Sequence, residues 1–97
     1  MRIISRKALK DFWVKYPDSE QALKAWFKEI TSKKWKNINE LKLHYPSMSI
    51  ISNKLVVFNI KGNHYRLLVR INFEFQLGYI RFIGNHQQYD KIDITKI

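Results

Sequence analysis

The amino-acid sequence predicts an α+β fold with two N-terminal helices on one side of a mainly antiparallel sheet. Apolar residues recur at helical spacing twice before residue 32, and three sheet-forming runs then follow one another between residues 55 and 83. A length of 97 residues with 45% hydrophobic side chains fits a single domain, residues 1–97, around one modest core. The same figures argue against a disordered basic tail.

The chain begins with a short β-prone piece, Arg2 to Ile4, suited to join the later sheet. From Ser5, a plausible N-cap, Ala8, Leu9, Phe12, Trp13 and Tyr16 recur at helical spacing. Arg6, Lys7, Lys10, Asp11 and Lys15 occupy the other side, and Pro17 stops the helix. A second helix follows, capped by Asp18 or Ser19, with Leu23, Trp26, Phe27 and Ile30 as its apolar stripe. Residues 31–37 form a basic loop around Trp35, which either enters the core or stacks on a base. Asn37 or Asn39 caps a short helical turn through Leu41 and Leu43, ended by Pro46. Residues 47–53 read as irregular, with Ile50 and Ile51 reaching the core.

The first long strand, Leu55 to Ile60, ends in the turn signal Lys61-Gly62-Asn63, where Gly62 accepts a positive φ and Asn63 tolerates one. Residues 65–73 alternate. Tyr65, Leu67, Val69 and Ile71 take one face, while Arg66, Leu68 and Arg70 take the other. Leu68 between two arginines implies that this second face is partly covered, a partner being one candidate for the cover. Residues 77–83 place Tyr79, Arg81 and Ile83 on one face. A polar segment carrying His86, Tyr89, Asp90 and Lys91 closes the chain.

A net charge of +10 on so small a body implies a polyanionic partner: nucleic acid, an acidic protein or an anionic membrane surface. No stretch approaches the roughly 18 apolar residues that span a bilayer. The N-terminus lacks the apolar run of a signal peptide, and cysteine is absent. A cytoplasmic protein without disulfides, a thiol nucleophile or a cysteine-ligated metal is expected. Three histidines and eight acids form no recognisable metal site, and three scattered glycines form no phosphate loop.

The inventory suits RNA cleavage by attack of a ribose 2′-hydroxyl on its own phosphate. That reaction needs a base, an acid and cations around the phosphorane, with no metal, cofactor or covalent nucleophile. His86 brings an imidazole, a ring able to serve as base or acid, and Tyr89 stands three residues on, one helical turn away. Lys61, Arg66, Arg70, Arg81 and Lys91 supply charge, the arginines as forks that match phosphate oxygens. Each has a plainer reading. A lone histidine is often a surface group, Tyr89 can simply anchor its segment, and Arg66 and Arg70 can be a solvated strand face. Asp90 can pair with Lys91 or Arg81 without chemistry, His64 is exposed after its turn, and His44 looks structural.

The runs RIISRKALKDFWVKYP, VVFNIKGNHYRLLVRINF and YIRFIGNHQQYDKID, in that order, resemble the HigB family of type II toxin–antitoxin systems, small RelE-like mRNA interferases. The likeness covers nearly the whole chain. It implies a RelE-like α+β fold, two N-terminal helices packed on one face of a curved, mainly antiparallel β-sheet. It also implies endonucleolytic cleavage of mRNA, commonly on the translating ribosome, and neutralisation by a helix-turn-helix antitoxin of the HigA type. By this resemblance Lys61, Arg66, Arg70 and Arg81 match the family's sheet face, and His86, Tyr89, Asp90 and Lys91 its C-terminal motif. Lys61, Asn63, Arg70 and Lys91 are expected to bind RNA. His86, Tyr89, Arg66 and Arg81 are expected to be catalytic, His86 as base or acid, Tyr89 as its proton-transfer or stacking partner and the arginines on the phosphorane. Members often carry threonine before that histidine, where this chain has Asn85. The rival class is a non-catalytic RNA- or DNA-binding module whose basic sheet face tracks a backbone.

Overall fold

The computed structural model describes the backbone of residues 1–97 and every side chain but that of Thr95. The chain forms strand β1 (Arg2–Ile4), helices α1 (Arg6–Lys15) and α2 (Glu20–Thr31), a short helix α3 (Ile38–His44), then strands β2 (Ser49–Ile50), β3 (Leu55–Ile60), β4 (Tyr65–Asn72) and β5 (Leu77–Asn85), and helix α4 (His86–Lys91). A 3₁₀ turn, Pro17–Ser19, joins α1 to α2, and another spans Ile94–Lys96. The strands make one sheet in the order β1-β5-β4-β3-β2. β1 joins its edge parallel to β5, and every other pairing is antiparallel. The α+β architecture expected from periodicity is the one observed.

The main core lies between α1, α2 and one sheet face. Leu9 and Phe12 of α1 and Leu23, Trp26 and Ile30 of α2 meet Val56, Phe58 and Ile60 of β3 and Leu67, Val69 and Ile71 of β4. Trp35 joins them, almost wholly buried, with its indole Nε1 donating to the Ile30 carbonyl at 3.0 Å. The core reading of that ring therefore holds over base stacking.

A second, smaller core lies on the opposite face. Leu55, Val57 and Leu68 are buried there beneath Phe82, Tyr89, Ile92, Ile94 and Ile97. The cover that Leu68 implied is thus the chain's own C-terminal segment. It also explains why β3 is buried on both faces, as a continuous apolar run demands.

Several local expectations are corrected. Strand β5 is bulged: Ile80 pairs with Val69 and Phe82 with Leu68, so Arg81 is the extra residue. Tyr79 therefore faces the Arg70 side, while Ile83, opposite Leu67, turns into the main core instead of sharing a face with Tyr79. Ile50 and Ile51 are exposed, and Met48 fills the core in their place. Residues 49–50 form a short edge strand instead of irregular chain. Leu43 is exposed, although Asn37 caps α3 as expected, accepting from the Glu40 amide at 2.9 Å. Neither Ser5, Asp18 nor Ser19 makes a side-chain cap bond. The Ser19 hydroxyl donates back to the Tyr16 carbonyl at 2.7 Å, and Asp18 is engaged elsewhere. In the β3–β4 turn the left-handed residues are Lys61 (φ 53°) and Gly62 (φ 64°), so Lys61 takes the second such conformation in place of Asn63.

Candidate functional site

Antiparallel pairing of β3, β4 and β5 gathers the basic and titratable residues towards one end of the sheet. The β3–β4 turn carries Lys61 and Asn63 there, and Arg66 follows on β4. Directly across the ladder from Arg66 stands Gly84, and Tyr65 faces Asn85, the residue that opens α4. Chain order alone therefore brings Arg66 beside the helix of His86. The Arg66 guanidinium donates to the Asn63 carbonyl at 3.2 Å, which ties the arginine to the turn.

Helix α4 is short and needs local support. Asn85 and Gln88 provide it through a capping box: Asn85 Oδ1 accepts from the Gln88 amide, and Gln88 Oε1 accepts from the Asn85 amide, both at 2.8 Å. Threonine at this position has an oxygen that can accept the same amide bond, so Asn85 retains the capping function. Gly84 lets the helix fold back closely. A Cβ there would lie 2.6 Å from the Phe82 ring and 2.8 Å from Gln88 Oε1.

Within α4, His86 is exposed and its Nδ1 lies 3.2 Å from Asp90 Oδ2 one turn on. A carboxylate accepts, so Nδ1–H donates and Nε2 is left as the ring's basic nitrogen. Asp90 thus pairs with His86, in place of the expected Lys91 or Arg81. Tyr89 is half-buried, its ring tilted on Phe82 with centroids 6.3 Å apart, and belongs to the second core. It holds α4 to the sheet. Lys91 is exposed at the end of the helix, and Arg81 is exposed on the bulge.

Two further predicted cations, in addition to Arg66, have protein partners. Lys61 Nζ lies 3.0 Å from Asp18 Oδ2, and the Tyr65 hydroxyl donates to the other oxygen of the same carboxylate. These bonds from Tyr65 and then Lys61 hold the Asp18 carboxyl below its usual range, while Tyr65 is pushed up to about 12, first by the bond to Asp18. Arg70 sits four residues beyond Arg66, about 13 Å at strand spacing. Its guanidinium donates to the Ile97 carbonyl at 2.9 Å. The structure therefore groups Lys61, Asn63, Arg66 and His86 at one end and sets Arg70 apart, beside the C-terminal segment.

Sequence reasoning did not identify Asp18 as the anchor of Lys61, because its place before a helix suggested a cap. Gly84 and Gln88 were missed as well, although Asn85-x-x-Gln88 is a legible capping pattern. His44 is exposed, with its Nε2 3.5 Å from Glu29 Oε1, and His64 is exposed with Nδ1 2.9 Å from the Lys61 carbonyl. Among the described residues no three His, Cys, Asp or Glu side chains converge as metal ligands, and no helix is long and apolar enough to cross a membrane.

Comparison with known proteins adds a family to this geometry. Residues 19–92 match the model of HigB_toxin, described as the RelE-like toxic component of a toxin-antitoxin system. The mRNA interferase toxin HigB of Escherichia coli K12 is 37% identical over 92 residues, covering 93% of this chain and 88% of that protein. The mRNA interferase HigB of Shigella flexneri matches to the same extent. A third relative, the mRNA interferase HigB of Escherichia coli O6:H1, is 29% identical over 94 residues, covering 95% of this chain and 91% of its own.

Proposed function

Because the chain belongs to the HigB family of RelE-like toxins, we propose that it is an endoribonuclease that cleaves mRNA, on the ribosome, by 2′-hydroxyl attack without a metal. The observation that carries this reading is the register of β4 against β5. It sets Arg66 opposite Gly84, beside the helix in which Asp90 holds His86 Nδ1. A proton-transfer group and a phosphate-binding fork thus share one exposed end of the sheet.

In the proposed reaction His86 Nε2 takes the proton of a ribose 2′-hydroxyl, and O2′ attacks the adjacent phosphorus. The phosphorane places extra negative charge on its equatorial oxygens, which Arg66 and Arg81 stabilise as charge-assisted donors. The P–O5′ bond then breaks, and O5′ takes a proton from Tyr89 or from the protonated His86. The products are a 2′,3′-cyclic phosphate and a 5′-hydroxyl. Lys61, Asn63, Arg70 and Lys91 hold the backbone on either side. The net charge of +10 adds attraction to RNA independent of sequence.

A cognate antitoxin of the HigA helix-turn-helix type would silence the activity, and the cytoplasm would be the working compartment. The test is induction of wild type against His86→Gln, with growth followed and mRNA 5′ ends mapped. Arrest with new 5′ ends in wild type alone is expected. Equal cutting by the variant would move the chemistry to the arginines, lysines and Tyr89, and intact mRNA in both would favour a binding module.

A further inference from the structure

We propose that Tyr79 is a stacking subsite for one unpaired nucleobase of the RNA, beside and distinct from the residues that act on the scissile phosphate. The inference rests on the sheet face of Arg66 and Arg70 being the RNA-binding face. Tyr79 lies on that face because it pairs directly with Arg70 across β4 and β5. Its side chain is exposed, unlike the apolar residues around it. Among the described residues its ring belongs to neither core cluster and packs on no other ring. Tyr89 and Phe82, a short way along the same face, already pair with each other and are half-buried in the second core.

The bulge explains why the ring is presented. Strict alternation would have put Tyr79 on the face of Ile83, inside the main core, but the extra residue Arg81 restores it to the Arg70 side. Tyr79 therefore stands between two cations, Arg70 across the ladder and Arg81 two positions along, on the face whose middle the C-terminal segment covers. Cations alone suffice to hold a phosphate backbone. An exposed flat ring set among them offers what a backbone does not use: a π-face on which any base can stack. Its place, well along the strand from the Arg66–Gly84 rung, fits a base flanking the cleaved linkage instead of the reacting nucleotide. Stacking tolerates every base, so the subsite would set affinity and register on the RNA and leave proton transfer untouched.

The test uses the full chain and a single-stranded RNA made uncleavable by 2′-deoxy substitution. A matching set carries one abasic nucleotide at each position in turn. Dissociation constants are measured for wild type, Tyr79→Ala and Tyr79→Phe. Tyr79→Ala is expected to bind the intact oligomer on the order of tenfold more weakly, and Tyr79→Phe to bind it as wild type does. One abasic position should cost wild type the same factor and cost Tyr79→Ala nothing further. Equal binding of wild type and Tyr79→Ala overturns the subsite, as does an unchanged tenfold gap at every abasic position. Wild type that does not bind the oligomer at all overturns the subsite together with the reading of the face. Wild type that binds yet leaves the all-ribose oligomer and ribosome-bound mRNA intact overturns the nuclease reading alone, and the abasic series still decides the subsite.

Discussion

Gly84 stands directly opposite Arg66 across the β4–β5 ladder, so no side chain separates the arginine's rung from the helix that follows. The absence of a Cβ lets Gln88 lie over the strand end and complete the capping box with Asn85. Position 84 therefore sets how closely the His86 helix approaches the basic strand.

Gly84→Ala tests that relation. The new methyl would meet Gln88 Cβ at 3.1 Å as well as the Phe82 ring and Gln88 Oε1, and Gln88 cannot withdraw without breaking its bond to the Asn85 amide. Overpacking of this kind costs about 1–3 kcal/mol. The expected outcome is lower stability by urea denaturation and a larger loss of RNA cleavage, since α4 shifts with its histidine. Gly62→Ala is the comparison: nothing lies within 4 Å, but a φ of +64° strains any Cβ and should cost about 1–2 kcal/mol with α4 undisturbed.

Asn85 separates capping from chemistry. Asn85→Ala removes the acceptor for the Gln88 amide at 2.8 Å and should cost about 1 kcal/mol, read as fraying of the α4 amides in hydrogen exchange. Asn85→Thr retains an oxygen for the same bond and should recover most of the protection. A variant that loses cleavage without extra exchange would assign Asn85 a direct role with substrate.

Asp18 links the α2 entrance to the β3–β4 turn, which gives pH dependence at both ends of the scale. Its carboxyl is held below the ordinary value of 3.8, so this contribution to stability is present above that value and lost as pH falls through the folded-state pKa. Tyr65 is raised from 10.0 to about 12, so its contribution is full below pH 10 and lost as pH rises towards 12. Asp18→Asn should bring the Tyr65 titration down towards 10 in tyrosinate absorbance and flatten the acid limb. An unmoved tyrosine titration would show that the carboxylate does not hold it.

Much of this arrangement was legible before the fold was known. Helical periodicity locates α1 and α2, the β-branched runs locate β3 to β5, and Lys61-Gly62-Asn63 marks a turn whose backbone does go left-handed. What escaped depends on long-range choices. The β5 bulge is invisible to alternation, because one extra residue reverses every face assignment beyond it. Ile50 and Ile51 are as apolar as Met48, and only the pairing of β2 with β3 decides which of them is buried. The cover on Leu68 was legible as a need, but its source, Ile92, Ile94 and Ile97, lies in a short segment with no periodicity to read. At the site, the residue types pointed to phosphate chemistry, while the pairing of Asp90 with His86 came from helical spacing once α4 formed.

Arg81 distinguishes binding charge from background charge. It is exposed on the bulge, and no other predicted cation is set there as an unpaired extra residue of the ladder. If it touches phosphate, its removal should subtract one counterion-release event. On single strands each neutralised phosphate contributes about 0.7 to the slope of log affinity against log salt. Arg81→Gln should therefore lower the slope magnitude by about 0.7 for an uncleavable RNA, while His86→Gln leaves it unchanged. Because the same guanidinium is proposed to hold the phosphorane, Arg81→Gln should also lower kcat at saturating RNA, where weaker ground-state binding no longer limits the rate. A reduced slope with unchanged kcat would confine Arg81 to the backbone, and a reduced kcat with an unchanged slope would mean that it meets the charge only as the transition state forms.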